Sequence, residues 1–523
     1  MRRGFQRAGG WLRGTVWEIP LYRYLALATV LVLMAGVVVG VRALTRDDPS
    51  CAAGVERVDD GDECVGVATG PYAYGQQGLA DVVDRIRAEN AGAMSGKSGT
   101  YVTVAVLEPF TTTDSGLASD VRHELQGAYL AQYHANHDSN GETPPIRLVL
   151  ANPGADGTYW RHTVDELERM AKGPDRLRAV TGVGQSTENN KLAVRELTRL
   201  GIPVVGSSIT ADDLANGQGG KDPFPGLARV SPTNTDEADA LASFAKVTAG
   251  RALLVYDKPG DPYTRTLQAS FAALIKGSPY GAQPFTPPAD RGEEGTTANT
   301  FRQIAYLVCD TKRTTDTLLF AGRHVQLRQF VNALGQRGCQ DRRFTVLTGD
   351  EGSYLSGDKK LDGDALTHGV SVRYTALAHP DAWTARTGKT PATGGSAADA
   401  GVLDDLVTAA AAKPVGPIGP APLDDGQLII GYDAVQLAVH AVRQATPSGR
   451  SYPALTDVGL QWPQVKGSLR VAGASGWICL DAHGNPYDKA VPIVELTARG
   501  TPRFVQIAWP KGRPPSKECL PPQ

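Results

Sequence analysis

Glycines and hydroxyl side chains follow two neighbouring apolar runs of this sequence, where they could bind a carboxylate. The first turn, residues 181–187, reads TGVGQST, and the second, residues 205–210, reads VGSSIT. Main-chain N–H groups at the start of a helix and nearby hydroxyls can hold an anion. Each hydroxyl alone could equally be an ordinary helix cap. Two such turns on adjacent strands favour a site, and its candidate residues are Gln185, Ser186, Thr187, Ser207, Ser208 and Thr210.

A third turn, residues 348–352, reads TGDEG and carries two acids. A carboxylate that is shielded when two lobes close is a strong partner for a ligand ammonium group. Asp350 is more simply interpreted as a solvated loop carboxylate, whereas Glu351 is a candidate for the ammonium-binding acid.

Other kinds of site are poorly supported by the spacing. The turn around Gly182 and Gly184 lacks the third glycine of a dinucleotide fingerprint, because Thr187 stands there. No GxSxG motif for a nucleophilic serine occurs, and the nine histidines form no HExxH or other metal-ligand spacing. The sequence therefore predicts a binding protein that is not an enzyme, with no cofactor and no metal site.

Short β-branched runs alternate with longer amphipathic segments from about residue 101 onward. This order is typical of βα units stacked on parallel sheets. Ligands of such sheets lie beyond the carboxyl ends of the strands, which is where the three turns fall. The predicted strands are 101–107, 146–150, 179–183 and 202–205 in a first sheet, and 251–256, 317–320 and 344–347 in a second.

Two sheets joined by several crossings indicate an α/β protein with two lobes that close at a hinge. A strand over 370–374 and a late helix over 431–445 follow, and the helix could return to the first lobe. The Gly-, Ala- and Pro-rich stretch between them, 387–422, is either a disordered insertion or a loop that covers a lobe.

The composition is that of a globular protein with room for more than one compact unit. The chain has 523 residues, of which 41% are hydrophobic. Its formal net charge of −2 provides no basic field of the kind that nucleic-acid binding needs, so nucleic acid is excluded as a partner.

The N-terminus has the pattern of a membrane anchor. Residues 24–41 carry no charge, and at about 1.5 Å per residue they span roughly 27 Å, which is enough for the hydrocarbon core. The excess of arginine before this run favours a cytoplasmic segment 1–23, an anchor 24–44 and an extracytoplasmic stalk 45–99. A cleaved signal peptide is the alternative, but no clear small-x-small cleavage site follows the run.

Six cysteines fit an oxidising compartment. Their positions suggest the pairs Cys51 with Cys64, Cys309 with Cys339 and Cys479 with Cys519, although the sequence alone cannot choose among the possible connectivities. No CxxC spacing occurs, so zinc or thioredoxin-like chemistry has little support.

With these residues in view, residues 101–507 resemble the type I periplasmic binding proteins of the branched-chain amino-acid (Leu/Ile/Val-binding protein-like) receptor group. The resemblance rests on an ordered series of short motifs. These are VAVLEP at 104–109, the 182–187 turn, GIPVVGSS at 201–208, RVSP at 229–232, LLVYD at 253–257 with Tyr263, FAG at 320–322, GDEG at 349–352, GYDA at 431–434 and the closing segment 476–485.

The resemblance implies a two-lobed fold of parallel-sheet βα lobes with hinge crossings. Lobe 1 would comprise 100–231 and 367–462, lobe 2 would comprise 232–366 and 463–509, and 510–523 would form a C-terminal tail. It also implies that Ser186 and the turn with Ser208 and Thr210 hold a ligand carboxylate. The ligand ammonium would lie on Glu351, with Tyr263 contributing from the second lobe.

Two features depart from this family pattern. Arg323 and His324 follow the Ala-Gly of the second lobe, where the family often has a small or aromatic residue. The Arg323 guanidinium could favour an acidic ligand, or it could point outward as a surface charge. A transmembrane anchor in place of a cleaved or lipidated N-terminus also puts simple delivery of substrate to a transporter in question.

The sequence thus predicts a single-pass cell-membrane protein with most of its chain outside the cytoplasm. Its lobes would close over an amino acid or a related small polar compound, for ABC-type transport or sensing. An ABC permease or another membrane protein would be the partner. The alternative is a signalling or cell-surface interaction domain that kept the fold without tight ligand binding, and an enzyme ranks third because the fold alone does not exclude one.

Overall fold

A computed structural model describes residues 24, 28, 29, 34, 50–58, 63–95, 100–137, 144–288, 294, 297–384 and 391–522. The predicted cytoplasmic segment 1–23 and most of the predicted anchor 24–44 lie outside the described residues. Among the residues that are described, no helix combines the length and the apolar character needed to cross a bilayer.

The first lobe is built on an eight-stranded sheet. Its strands, in the order β1-β2-β3-β5-β4-β6-β7-β8, are parallel from β5 to β8, and β1 to β3 add an antiparallel edge. Apolar helix faces cover both sides of the sheet. The strands are β1 (Ser50–Ala52), β2 (Val55–Val58), β3 (Glu63–Ala68), β4 (Val102–Leu107), β5 (Ile146–Asn152), β6 (Leu177–Gly182), β7 (Val204–Gly206) and β8 (Leu227–Arg229), and the helices are α1 (Ala80–Ser95), α2 (Ser115–His137), α3 (Trp160–Lys172) and α4 (Glu188–Arg199).

The predicted stalk over 45–99 is wrong, because most of this segment forms edge strands and a helix of the first lobe. β3 pairs with β5 through Gly66 opposite Asn152, and Val65 and Val67 are buried, as is Val82 of α1. These residues belong to the first lobe because their apolar side chains complete its core. The high Gly and Asp content of the segment concealed strands that are only three to six residues long.

The second lobe contains a seven-stranded sheet in the order β10-β9-β11-β12-β13-β16-β17. The strands from β10 to β13 are parallel, and β16 and β17 add an antiparallel edge. The strands are β9 (Ala252–Asp257), β10 (Gln283–Phe285), β11 (Thr317–Ala321), β12 (Phe344–Thr348), β13 (Val370–Thr375), β16 (Val491–Leu496) and β17 (Pro502–Ala508), and the helices are α5 (Asn234–Ala245), α6 (Pro262–Leu274), α7 (Thr297–Asp310), α8 (His324–Gly335) and α9 (Gly363–Thr367).

The chain returns to the first lobe later than predicted. β13 lies between β12 and β16, so the first lobe does not resume at residue 367. The long helix over Gln427–Ala445 packs against α2 and so returns to the first lobe, and the strand Gly476–Ile478 also contributes to the first-lobe core. The second lobe therefore resumes near β16 rather than at residue 463. The remaining elements are α10 (Ala397–Ala409), α11 (Gln427–Ala445), α12 (Leu455–Gly459), β14 (Val471–Gly473) and β15 (Gly476–Ile478).

The contact between α2 and α11 depends on two glycines, one on each helix, that each face the backbone of the opposite helix. A Cβ on Gly431 would lie 2.7 Å from the Cα of Glu124, and a Cβ on Gly127 would lie 2.6 Å from the Tyr432 nitrogen. Only hydrogen fits at either position, so the two helices approach more closely than ordinary side chains permit. This contact fixes where the polar residues of α2 sit relative to the sheet.

All three suggested disulfides are formed. Cys51–Cys64 links β1 to β3, Cys309–Cys339 links α7 to the loop after α8, and Cys479–Cys519 holds the C-terminal segment against the first lobe.

Candidate ligand-binding cleft

The first predicted turn leaves β6 in an unusual backbone conformation. Gly182, Val183 and Gly184 all have positive φ, at 90°, 86° and 64°. Positive φ is costly for a β-branched residue such as Val183, and such strain persists only where the surrounding structure imposes it. The turn brings Gln185 and Ser186 to the face of the first lobe that meets the second.

Arg323 lies at the centre of the contact between the lobes. Its Nε donates to Asp261 Oδ2 (2.9 Å) and its Nη1 to Glu351 Oε1 (2.5 Å), both in the second lobe. Its Nη2 donates to the main-chain oxygen of Ser186 in the first lobe (2.9 Å). With 6% of the residue exposed, the guanidinium is neither a surface charge nor open to an acidic ligand in this state.

Both carboxylate oxygens of Glu351 accept hydrogen bonds from groups of the protein itself. Its second oxygen, Oε2, accepts from the main-chain nitrogen of His324 (2.9 Å) and from His324 Nδ1 (2.8 Å). Burial alone would raise the pKa of Glu351, but the Arg323 charge and the His324 hydrogen bond lower it to about 2. The position predicted for a ligand ammonium is therefore occupied by Arg323 and His324.

His324 also connects the two lobes. Its Nε2 lies 3.5 Å from Asp114 Oδ2 in the loop before α2, and its ring stacks on Tyr354 with centroids 4.4 Å apart. Burial lowers the pKa of His324, but hydrogen bonds to Asp114 and Glu351 outweigh it and raise the pKa to about 9. The imidazolium form thus joins acids of opposite lobes.

Gln185 and Tyr354 make a further direct contact across the cleft. Gln185 Nε2 donates to the Tyr354 hydroxyl (3.0 Å) and to Glu351 Oε1 (3.3 Å). The Tyr354 ring also packs over Gly116, where a Cβ would lie 2.8 Å from Cδ1. The two lobes are therefore in contact through their own side chains.

The second predicted turn faces an acid of α2 that the sequence analysis did not single out. The Ser208 hydroxyl donates to Glu124 Oε1 (3.0 Å), and the Ser207 hydroxyl donates to Glu124 Oε2. Burial raises the pKa of Glu124 to about 7, and burial beside Glu124 also raises the pKa of Glu108 well above its usual value. The hydroxyls predicted for a ligand carboxylate thus bind a carboxyl group of the protein.

Of the other predicted hydroxyls, those of Ser186 and Thr187 bond to main-chain groups and that of Thr210 does not. Ser186 Oγ accepts from the main-chain nitrogens of Thr210 (3.0 Å) and Ala211 (3.2 Å). Thr187 caps α4 by accepting from the Asn190 nitrogen (3.2 Å), which is the helix-cap interpretation. The Thr210 hydroxyl is buried and has no hydrogen-bond partner among the described residues.

Tyr263 lies beneath the cleft. It is buried, its hydroxyl accepts from the Glu351 nitrogen (3.4 Å), and the Arg323 guanidinium lies 4.7 Å from its ring centroid. Of the predicted set, the structure brings together Gln185, Ser186, Tyr263, Arg323 and Glu351. Thr187, Ser207 and Ser208 instead form hydrogen bonds with other groups of the first lobe.

Comparison with solved structures identifies the fold. The branched-chain amino acid transporter substrate-binding protein LivJ of Streptococcus pneumoniae, solved with isoleucine, aligns over 78% of this chain and 100% of its own, with a TM-score of 0.56 and 14% identity. The leucine-binding protein LivK of Thermotoga maritima aligns over 78% of this chain and 99% of its own, with a TM-score of 0.55 and 16% identity. The fold is that of the type I periplasmic binding proteins. A substrate-binding protein from Rhodopseudomonas palustris, solved with 3,4-dihydroxybenzoic acid, has the same fold, with a TM-score of 0.52, 14% identity and coverage of 78% and 97% of the two chains.

The predicted two-lobed fold is confirmed by these likenesses, which concern the fold alone. No family model matches the chain, and no curated protein matches its sequence. Among the described residues no group of acids, histidines or cysteines is arranged to hold a metal ion.

Sequence reasoning missed several residues of the contact between the lobes. Asp120 and Glu124 are one turn apart in the buried part of α2. The same part carries the apolar Val121 and Leu125 but also the polar His123 and Gln126, so the two acids were only a weak signal. Asp261 precedes a proline and caps α6, which concealed its second role as a partner of Arg323. The other missed residues are Glu108, Asp114 and Tyr354, whereas His324 was noted beside Arg323 but given no role.

Proposed function

We propose that this chain is an extracytoplasmic binding protein that closes two lobes over a small polar ligand, an amino acid or a related compound, for ABC-type transport or sensing. The observation that carries the proposal is the convergence of Gln185 and Ser186 from one lobe with Arg323 and Glu351 from the other. Fold neighbours solved with isoleucine and with 3,4-dihydroxybenzoic acid support a ligand of this size. The uncharged run 24–41 supports attachment to the membrane, beside a permease or another membrane partner.

A screen by thermal denaturation tests the ligand. The full chain in detergent micelles would be heated with each common amino acid and with small aromatic and aliphatic carboxylates. One compound is expected to raise the Tm, because a ligand at one hundred times its Kd stabilises the folded state by about 2.7 kcal/mol. The shift should be lost in Glu351→Gln.

Glu495→Gln is the matched control, since Glu495 pairs with Arg373 and Arg503 in the second sheet and not with cleft residues. It should keep the ligand-induced shift. A shift that persists in Glu351→Gln would place the ligand elsewhere and contradict the proposed cleft.

The occupied cleft favours a second candidate, an interaction or signalling domain that does not bind a solute tightly. Arg323 fills the cation position on Glu351, and Glu124 fills the carboxylate position on Ser207 and Ser208. In that case no compound would raise the Tm, and small-angle X-ray scattering of the ligand-free protein would give a closed form that no solute changes.

A further inference from the structure

The groups around Arg323 match the shape of a guanidinium ion. Asp261 Oδ2 lies 2.9 Å from Nε and 2.8 Å from Nη2, and Glu351 Oε1 lies 2.5 Å from Nη1. The Ser186 carbonyl oxygen accepts from Nη2 at 2.9 Å, and the Tyr263 ring supplies an aromatic face 4.7 Å away. We call Asp261, Glu351, Ser186 and Tyr263 the guanidinium cradle.

We propose that the guanidinium cradle is a binding site for guanidinium compounds, and that Arg323 fills it as a ligand tethered to the same chain and so holds the lobes closed. The inference deepens the proposed function, since it concerns the regulation and the ligand class of the same cleft. A solute that carries a guanidinium group would have to displace the Arg323 side chain to enter.

The acceptors explain why a guanidinium fits better than an ammonium. A guanidinium presents its N–H donors in a rigid planar fork that can address two carboxylates and a carbonyl together, and its flat face stacks on aromatic rings. An ammonium is compact, strongly hydrated and cannot reach these acceptors at once. The cradle is closed from water, with Glu351 2% and Tyr263 1% exposed, so the ion that fills it is not exchanging freely with solvent in this state.

The position of Arg323 in the chain allows its side chain to leave without unfolding the lobe. Arg323 is the residue before α8, in extended conformation, and its side chain does not cap the helix. Glu351 keeps two bonds from His324, and Asp261 keeps the bond from the Thr264 nitrogen (2.9 Å), when Arg323 is absent. The cradle can therefore persist as an empty site.

Chemical rescue of Arg323→Ala tests the proposal on the full chain. The variant is expected to have a lower Tm and a larger radius of gyration than the wild type. Methylguanidinium at millimolar concentration should restore at least half of the lost Tm, in a saturable manner, and should return the radius of gyration to the wild-type value. Methylammonium and sodium chloride at the same concentration should do neither.

Arg373→Ala is the matched control, because Arg373 pairs with Glu495 at a partly exposed position and contacts no cradle residue. Methylguanidinium should leave its Tm unchanged. Equal rescue of Arg323→Ala by methylammonium would overturn the specificity for guanidinium, and absence of rescue by either cation would overturn the cradle as a site.

Arg323→Lys keeps the proposal testable if the alanine variant does not fold. Lysine preserves the charge but cannot make the three bonds, so the lobes should open and the radius of gyration should rise. A closed Arg323→Lys protein would overturn the role of Arg323 in closure. Failure here is distinct from failure of the proposed function, because a solute that raises the Tm through Glu351 could still be found in a protein whose cradle accepts no guanidinium.

Discussion

Gly431→Val is expected to lower the free energy of unfolding by about 3 kcal/mol, since an added side chain overpacks the contact between α2 and α11. A Cβ at residue 431 would lie 2.7 Å from the Glu124 Cα, and that obstacle is backbone, which cannot rotate aside. The helices must therefore separate. Separation would also withdraw Glu124 from Ser207 and Ser208 and loosen the lobe-1 wall of the cleft.

Urea denaturation followed by circular dichroism measures this loss. Gly401→Ala in α10 is the matched control, because a Cβ there would have no atom within 4 Å. That substitution should stabilise the protein by about 0.5–1 kcal/mol, because alanine loses less backbone entropy than glycine when the chain folds. A Gly431→Val protein as stable as the wild type would contradict the proposed close packing of the two helices.

The order of elements was predictable because periodicity and capping are local properties. The alternation of β-branched runs with amphipathic segments predicted most of the parallel strands, but not the three-residue strands β8 and β10. The TNTD segment at 233–236 has the sequence pattern of a helix start, and Thr233 and Asp236 form a reciprocal capping box at α5. These features depend on neighbours in the chain, which a sequence displays directly.

The assignment of strands to lobes was not predictable in the same way. The sheet that each strand joins depends on its pairing partners. β3 pairs with β5 and β13 pairs with β16, and both partners are far away in the chain. The predicted stalk over 45–99 and the predicted return to the first lobe at 367 failed for this reason.

For the site, too, the sequence indicated the types of the binding residues but not their partners. Sequence indicated that residues 185–187 and 207–210 bear groups able to bind a carboxylate. It could not indicate that Glu124, which is 83 residues from Ser207, would supply that carboxylate. For Arg323 the sequence left two orientations open, and the observed one, inward onto two acids of its own lobe, was neither of them.

Glu124→Gln is expected to make the protein more stable than the wild type at neutral and alkaline pH. Burial raises the Glu124 pKa from 4.5 to about 7. The folded protein therefore keeps a proton that the unfolded chain releases, and this stabilisation is fully present below pH 4.5 and lost as the pH rises through 7. A shift of this size corresponds to about 3 kcal/mol.

Glutamine has the shape of the protonated acid and carries no titratable proton, so the variant does not lose this stability as the pH rises. Its free energy of unfolding should equal that of the wild type near pH 4.5 and exceed it by up to about 3 kcal/mol at pH 8. Urea denaturation of both proteins at several pH values measures the difference. The titration of His324 cancels in it, because both proteins contain that residue and Glu124 does not interact with it. Glu108 and Asp120 add to the difference in the same direction, because the charge of Glu124 raises the pKa of both and is absent from the variant.

The acid Glu495 provides the control for that difference. Burial on its own raises the Glu495 pKa, but hydrogen bonds from Arg373 and Arg503 outweigh it and lower the pKa. The ionised Glu495 carboxylate therefore stabilises the folded protein above the pKa that Glu495 has in the unfolded chain, and this stabilisation is lost as the pH falls. Glu495→Gln lacks it, so the variant should become less stable than the wild type as the pH rises from 3 to 7. If Glu124→Gln behaved like Glu495→Gln, the carboxyl of Glu124 would be ionised against Ser207 and Ser208, and the first lobe would present a fixed negative charge to the cleft.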